Sequence, residues 1–172
     1  MDWELSFMKW ARGWWSSPVL DRIIPWVTHL GSHVAVILFI LSIWGITKEF
    51  PFFYKLFIIY GIQSGIIYGL KFTVHRKRPP FFQSAASKIS KGPGEILDPS
   101  FPSAHTCFAF MMATLLSHWY PGAWAAFFVP AGFIGWTRIY LDLHYPTDVM
   151  AGGLLGYGIT KVLLHLLILS IA

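Results

Sequence analysis

A chain of 172 residues that is 55% hydrophobic and only 12% charged is not an ordinary soluble domain, in which about a quarter of the residues are charged. Its apolar residues fall in long blocks, which implies a polytopic membrane protein, and its single cysteine, Cys107, excludes an intrachain disulfide and a cysteine metal cluster. The formal net charge of +5 asks for an anionic partner, and beside membrane spans a lipid headgroup fits better than nucleic acid.

Met1–Trp15 sets Trp3, Trp10, Trp14 and Trp15 among Asp2, Glu4, Lys9 and Arg12. It has no uninterrupted apolar core, so it does not read as a cleavable signal peptide. Tryptophan favours the headgroup level, which predicts an amphipathic helix lying on the surface. Pro18–Leu30 carries Asp21 and Arg22 and predicts a second interfacial helix. The first span is expected over Thr28–Thr47. His29 and His33 stand four apart near its start and could share a helix face. No third ligand accompanies them, so they read as interfacial histidines and not as metal ligands. The second span covers Phe52–Phe72, with Gln63, Ser64 and Gly65 as packing and hydrogen-bonding positions. Lys71 ends it, and Val74-His-Arg-Lys-Arg-Pro-Pro80 follows as a basic cluster of the kind that anchors to anionic lipid.

Phe81–Pro99, rich in Ser, Lys, Gly and Pro, reads as a mobile loop whose acids, Glu95 and Asp98, are solvated. The third span is expected over Pro102–Trp119, with Pro102 at its first helical position and the free N–H groups of its first turn open to an anion. Pro121-Gly122 turns the chain into a fourth span over Ala123–Leu141, which carries Arg138. The fifth runs from Thr147 to Ala172, where Gly152, Gly153, Gly156 and Gly158 allow close helix approach. The expected fold is therefore all-α. It is a polytopic helix bundle of about five spans with interfacial helices over residues 1–30, all in one membrane-embedded domain over residues 1–172.

Counting crossings puts Lys71, Arg78, His105, Arg138, His144 and Asp148 on one face of the membrane. Burying these bases is costly, and the one aspartate among them does not offset three, so a purely structural explanation is poor. Between the last two spans lies Thr137-Arg-Ile-Tyr-Leu-Asp-Leu-His-Tyr-Pro-Thr-Asp148. Pro146 suits the first position of a helix and pushes its predecessor out of helical geometry. His144 then lies just outside the helix and Asp148 in its first turn, within reach of an imidazole nitrogen. An imidazole held by a carboxylate keeps one tautomer, and its other nitrogen is available to attack or to take a proton. Asp142 could bond locally or touch substrate, and the residues leave that open.

Three spaced motifs resemble those of the type 2 phosphatidic acid phosphatase superfamily: Lys71 with Arg78-Pro79, then Pro102-Ser103-Ala104-His105, then Thr137-Arg138 with His144 and Asp148. Order and spacing agree from residue 71 to 148. Ala104 stands where the family has glycine, which is tolerable if that residue is helical, and Thr137 replaces a serine while keeping a hydroxyl. The resemblance implies an integral membrane lipid phosphatase that needs no metal or other cofactor. It implies that His144 forms a phosphohistidine, Asp148 orients it, and His105 protonates the leaving oxygen and then activates water. Lys71, Arg78, Ser103, Ala104 and Arg138 would bind phosphate. The substrates implied are lipid A 1-phosphate, undecaprenyl diphosphate or phosphatidylglycerol phosphate, at a bacterial inner membrane with the site toward the periplasm. The competing reading is a non-catalytic lipid-phosphate binding or transport protein. Vanadium haloperoxidase chemistry, found in the same superfamily in soluble enzymes, fits an embedded chain poorly. Loop charges oppose the periplasmic orientation: Lys9, Arg12, Arg22, Arg76, Lys77, Lys88 and Lys91 share the catalytic face, against Lys48 and Lys55. Oligomeric state is left open.

Overall fold

The computed structural model describes residues 2–80 and 98–167, and among these the chain is helical with no strand. Helix α1 spans Asp2–Trp15 and α2 spans Pro18–Val27, started by Ser17, whose side chain accepts from the Leu20 N–H at 3.2 Å. A 3-10 turn over Thr28–Gly31 follows, and α3 spans His33–Thr47. The first predicted span therefore starts later than Thr28, because Ser32 is extended and caps the Ala35 N–H. Helix α4 covers Phe50–Val74, α5 Ala104–Trp119, α6 Trp124–Tyr140 and α7 Pro146–Leu167.

Among the described residues two helices are long and apolar enough to cross a membrane, Phe53–Val74 and Pro146–Leu167. The pair Pro18–Gly31 and His33–Thr47, bent by 56°, makes a third if it acts as one span. At 16 and 17 residues, α5 and α6 are shorter, about 24–26 Å against a hydrocarbon core of ~30 Å. Most of the loop expected over Phe81–Pro99 lies outside the described residues, with Phe81, Phe82, Lys88, Lys91 and Glu95, as does the end of the fifth span after Leu167.

Helix α5 is the packing centre. Its buried face, including Cys107, Phe108, Met111 and Leu115, meets α3, α4 and α7 in one apolar cluster. Gln63 ties three of these helices together, donating to the Cys107 sulfur at 2.8 Å and accepting from Thr160 at 3.0 Å, as expected for a packing position. Gly152 and Gly156 let α7 close on the backbone of α5 at Ser103 and Cys107. Gly158 meets nothing and does not share that role. The other face of α5 uses Ala109 and Ala113 against Ala131 and Ile134 of α6.

Helix α1 is amphipathic as expected. Trp3, Trp10 and Trp14 are exposed while Met8 and Ala11 are buried. Glu4 is buried on the same face. The two ring nitrogens of His33 each lie 2.6 Å from a hydroxyl, of Tyr60 and of Tyr68.

Candidate active site

Four chain segments converge at one end of the bundle. Lys71 comes from the last turn of α4, and Arg76 and Arg78 from the strap that leaves it. The segment 98–105 brings Ser103 and His105 to the start of α5, Arg138 ends α6, and His144 and Asp148 flank the start of α7. The helix starts where Pro146 demands, so His144 lies outside it and Asp148 in its first turn, as expected. Pro102 is not helical. Ser103 is extended and caps α5 instead, so the helix begins at Ala104. Ala104, in place of the family's glycine, is helical and fits.

The six residues expected to share a membrane face do come together. His144 lies within electrostatic reach of Arg138, Arg78 and Lys71, and His105 within reach of Arg138 and His144. The Arg138 guanidinium donates to Thr28 at 2.8 Å, and Thr137 spends its hydroxyl on Thr28 and the Ile134 carbonyl. The 3-10 turn thus holds the end of α6. Gly31 permits this, since a Cβ there would stand 2.6 Å from the His105 carbonyl.

The histidine is held differently from expectation. Its Nδ1 lies 2.6 Å from the Ser100 carbonyl oxygen and 3.7 Å from Asp148 Oδ2, so the carbonyl is the nearer partner. A carbonyl only accepts, so Nδ1 carries the proton and Nε2 keeps its lone pair. Asp148 supports the ring at longer range and accepts from the Tyr145 N–H at 2.9 Å. Burial, opposed by the Asp148 carboxylate and reinforced by Arg138, Arg78 and Lys71, pushes the His144 imidazole down to about 3. It is therefore neutral at pH 7.

The matching acids missing from the sequence argument are present. Asp98, expected to be solvated, accepts from Lys71 at 2.9 Å and from Arg78 at 3.2 Å. Lys71 also donates to the Pro99 carbonyl at 2.6 Å, and Arg78 to the carbonyls of Asp98 and Leu143. Arg76, expected to anchor to lipid, instead bridges Asp148 at 2.6 Å and Glu4 at 2.5 Å. Asp142 adopts a left-handed φ of 54° and pairs with Arg12 at 2.9 Å. Ser103 donates its N–H to the Asp148 carbonyl at 3.0 Å and shares a 2.9 Å hydrogen bond with the Thr106 hydroxyl. The first-turn N–H groups of Ala104 and His105 have no intrahelical acceptor and suit an anion.

Asp98, Arg76, Glu4 and Ser100 escaped sequence reasoning. Only Glu4 had a legible signal: it shares the helical spacing of Met8 and Ala11, which puts an acid on the buried face of α1.

The chain matches the PAP2 superfamily over residues 52–170. It is similar to the protein YbjG of Escherichia coli (strain K12), provisionally named an undecaprenyl-diphosphatase. The two are 25% identical over 142 residues, 77% of this chain and 69% of that one. Among solved structures, Aquifex aeolicus LpxE superposes with a TM-score of 0.73 at 26% identity, covering 93% of both chains. The transmembrane PAP2-type phosphatidylglycerolphosphate phosphatase of Bacillus subtilis shares the fold, with a TM-score of 0.75 at 23% identity over 94% of this chain and 83% of that one. The chain belongs to the PAP2 superfamily of membrane lipid phosphatases.

Proposed function

We propose that this protein hydrolyses a phosphate monoester or diphosphate on a lipid headgroup, without a metal, through a phosphohistidine intermediate. The observation that carries the reading is the His144 ring. With Nδ1–H committed to the Ser100 carbonyl, Nε2 keeps its lone pair for attack, among the charges of Lys71, Arg78 and Arg138. In the first step Nε2 attacks phosphorus, the bond from phosphorus to the lipid-side oxygen breaks, and His105 protonates that oxygen. In the second, His105 takes a proton from water, the water oxygen attacks phosphorus, and the N–P bond breaks to release phosphate. Acid–base help of this kind contributes ~10²–10⁴ in rate. Lys71, Arg78 and Arg138, with the Ala104 and His105 N–H groups and Ser103 nearby, stabilise charge on the phosphoryl oxygens. Binding alone would need these cations but not an oriented nucleophile, which sets the phosphatase above a transport or binding role.

The lipid's hydrocarbon fits a groove of about 440 Å³ between α3, α5 and α6, lined by Leu30, Phe39, Met112, Phe127 and Ile134. Ile134, in the lining of this groove, lies one helical turn from Arg138. Large apolar side chains exposed around the bundle, Ile46, Val129 and Leu154 among them, suit contact with lipid. On this reading residues 1–172 form one domain in a bacterial inner membrane. Helices α3–α7 make five crossings, α1 and α2 lie on the surface, and the site faces the periplasm. Undecaprenyl diphosphate and lipid A 1-phosphate are the favoured headgroups, ahead of phosphatidylglycerol phosphate.

Purified protein in detergent is to be assayed for inorganic phosphate release from these lipids and phosphatidic acid, with and without EDTA, beside His144→Ala. EDTA-resistant, His144-dependent release and an acid-labile phosphoenzyme are expected. Release that persists in His144→Ala would defeat the mechanism, and no release from any lipid would favour binding or transport.

A further inference from the structure

We propose that Glu4, on the N-terminal surface helix, is a positioning residue for His144 and acts through Arg76. The inference rests on the phosphatase reading only for what His144 does, not for how it is held. The Glu4 side chain is 4% exposed. Its Oε2 accepts from Arg76 Nη2 at 2.5 Å, and its Oε1 accepts from the Thr147 hydroxyl at 2.6 Å. A buried carboxylate is expensive unless its partners satisfy it, and these do.

Arg76 passes this restraint to the histidine along two arms. Its side chain donates to Asp148 Oδ1 at 2.6 Å and to Thr147 Oγ1 at 2.7 Å. The other Asp148 oxygen stands 3.7 Å from His144 Nδ1 and holds the Tyr145 N–H at 2.9 Å. Its backbone forms the second arm: the Arg76 carbonyl accepts from the Ser100 N–H at 2.8 Å, and the Ser100 carbonyl accepts from His144 Nδ1 at 2.6 Å. The guanidinium also stacks 4.1 Å over the Tyr145 ring, next to His144. Arg76 thus touches both partners of Nδ1, Ser100 and Asp148. Glu4 fixes the far side of its planar fork, which a point charge could not bridge.

Helix α1 therefore belongs to the catalytic framework. Its buried face carries Glu4, while Trp3, Trp10 and Trp14 on the other side are exposed for the membrane surface. Glu4→Gln keeps the volume and removes the charge. Arg76 then keeps Asp148, Thr147 and the Tyr145 ring but loses its charged outer anchor, and both arms to Nδ1 loosen. The groups facing His144 are Lys71 on α4, Arg78 on the strap, His105 on α5, Arg138 on α6 and Asp148 on α7. None of them changes in the variant.

The test compares wild type, Glu4→Gln, Glu4→Asp and Arg76→Lys as full-length protein in one detergent. Phosphate release from a lipid panel should show kcat down ~10–100-fold in Glu4→Gln with KM within about threefold, and partial recovery in Glu4→Asp. In ¹⁵N-histidine spectra at pH 7 the wild type should hold the His144 proton on Nδ1. Glu4→Gln should show a mixture of tautomers, which a loss of stability alone would not produce. Wild-type kcat, or an unmixed Nδ1–H tautomer in folded Glu4→Gln, overturns the proposal. If Glu4→Gln does not fold, Arg76→Lys carries the same two readouts. If wild type releases no phosphate, the phosphatase reading fails, and the tautomer measurement still decides whether Glu4 positions His144.

Discussion

Adding one methyl group at Gly152 tests how closely the site depends on the crossing of α7 over α5. A Cβ there would stand 2.5 Å from the Ser103 carbonyl oxygen, about 0.9 Å inside ordinary contact at 3.4 Å. The obstacle is backbone and cannot swing aside. Relief requires α7 to move off the start of α5 by on the order of 1 Å, against the Ser103-to-Asp148 hydrogen bond one turn away. Overpacking of this kind costs ~1–3 kcal/mol in stability. The same movement shifts Asp148 and His144 relative to His105, and a misplacement of about 1 Å can cost ~10² in rate. Gly152→Ala should therefore lower both Tm and kcat for phosphate release, measured in the same detergent. Gly158→Ala is the control on the same helix. Nothing lies within 4 Å of its Cβ, and alanine gains up to ~1 kcal/mol of helix propensity. Wild-type kcat in Gly152→Ala, or equal losses in both variants, would refute the argument that the glycine contact sets the geometry of the site.

Asp98→Asn should tighten inhibition by vanadate roughly tenfold, because the carboxylate now sits on Lys71 and Arg78 where an anion would compete; an unchanged or weaker inhibition constant would remove Asp98 from the phosphate site. Lys71→Met should reduce kcat/KM at least ~10²-fold through loss of transition-state charge, measured on the preferred lipid. The His144 imidazole, held at about 3 in the fold against about 6.5 unfolded, takes up fewer protons than the unfolded chain between those values. Stability should be fully present above about 6.5 and fall as pH drops toward 3, more steeply than in His144→Gln, by chemical denaturation in detergent. Phosphate release should survive EDTA unchanged; a loss restored by a divalent cation would show a metal requirement.

The segments that read most clearly were those whose local physics leaves few choices. Pro146 sets the start of α7, so His144 and Asp148 were placed correctly from spacing alone. The amphipathic pattern of Met1–Trp15 and the packing role of Gln63 were legible for the same reason. Pro102 misled, because a proline near a helix start can lie just outside it when the next residue, here Ser103, is a better cap. Arg76 and Asp98 misled because a charge in a polar stretch reads as solvated unless its partner is known. Their partners lie 72 and 27 residues away, at Glu4 and Lys71.

The sequence by itself determined the helical class, the membrane habit and the set of cations and histidines gathered at one end, since hydropathy, proline geometry and motif spacing are local quantities. Tertiary structure alone decided how the site is held. It put the Ser100 carbonyl, nearer than Asp148, on His144 Nδ1, Asp98 between Lys71 and Arg78, and the N-terminal helix behind His144 through Glu4 and Arg76. Hydrogen bonds and ion pairs between distant segments depend on distances of a few ångströms. Packing sets those distances, as where Gly31 and Gly152 let backbones meet, and no pattern along the chain encodes them.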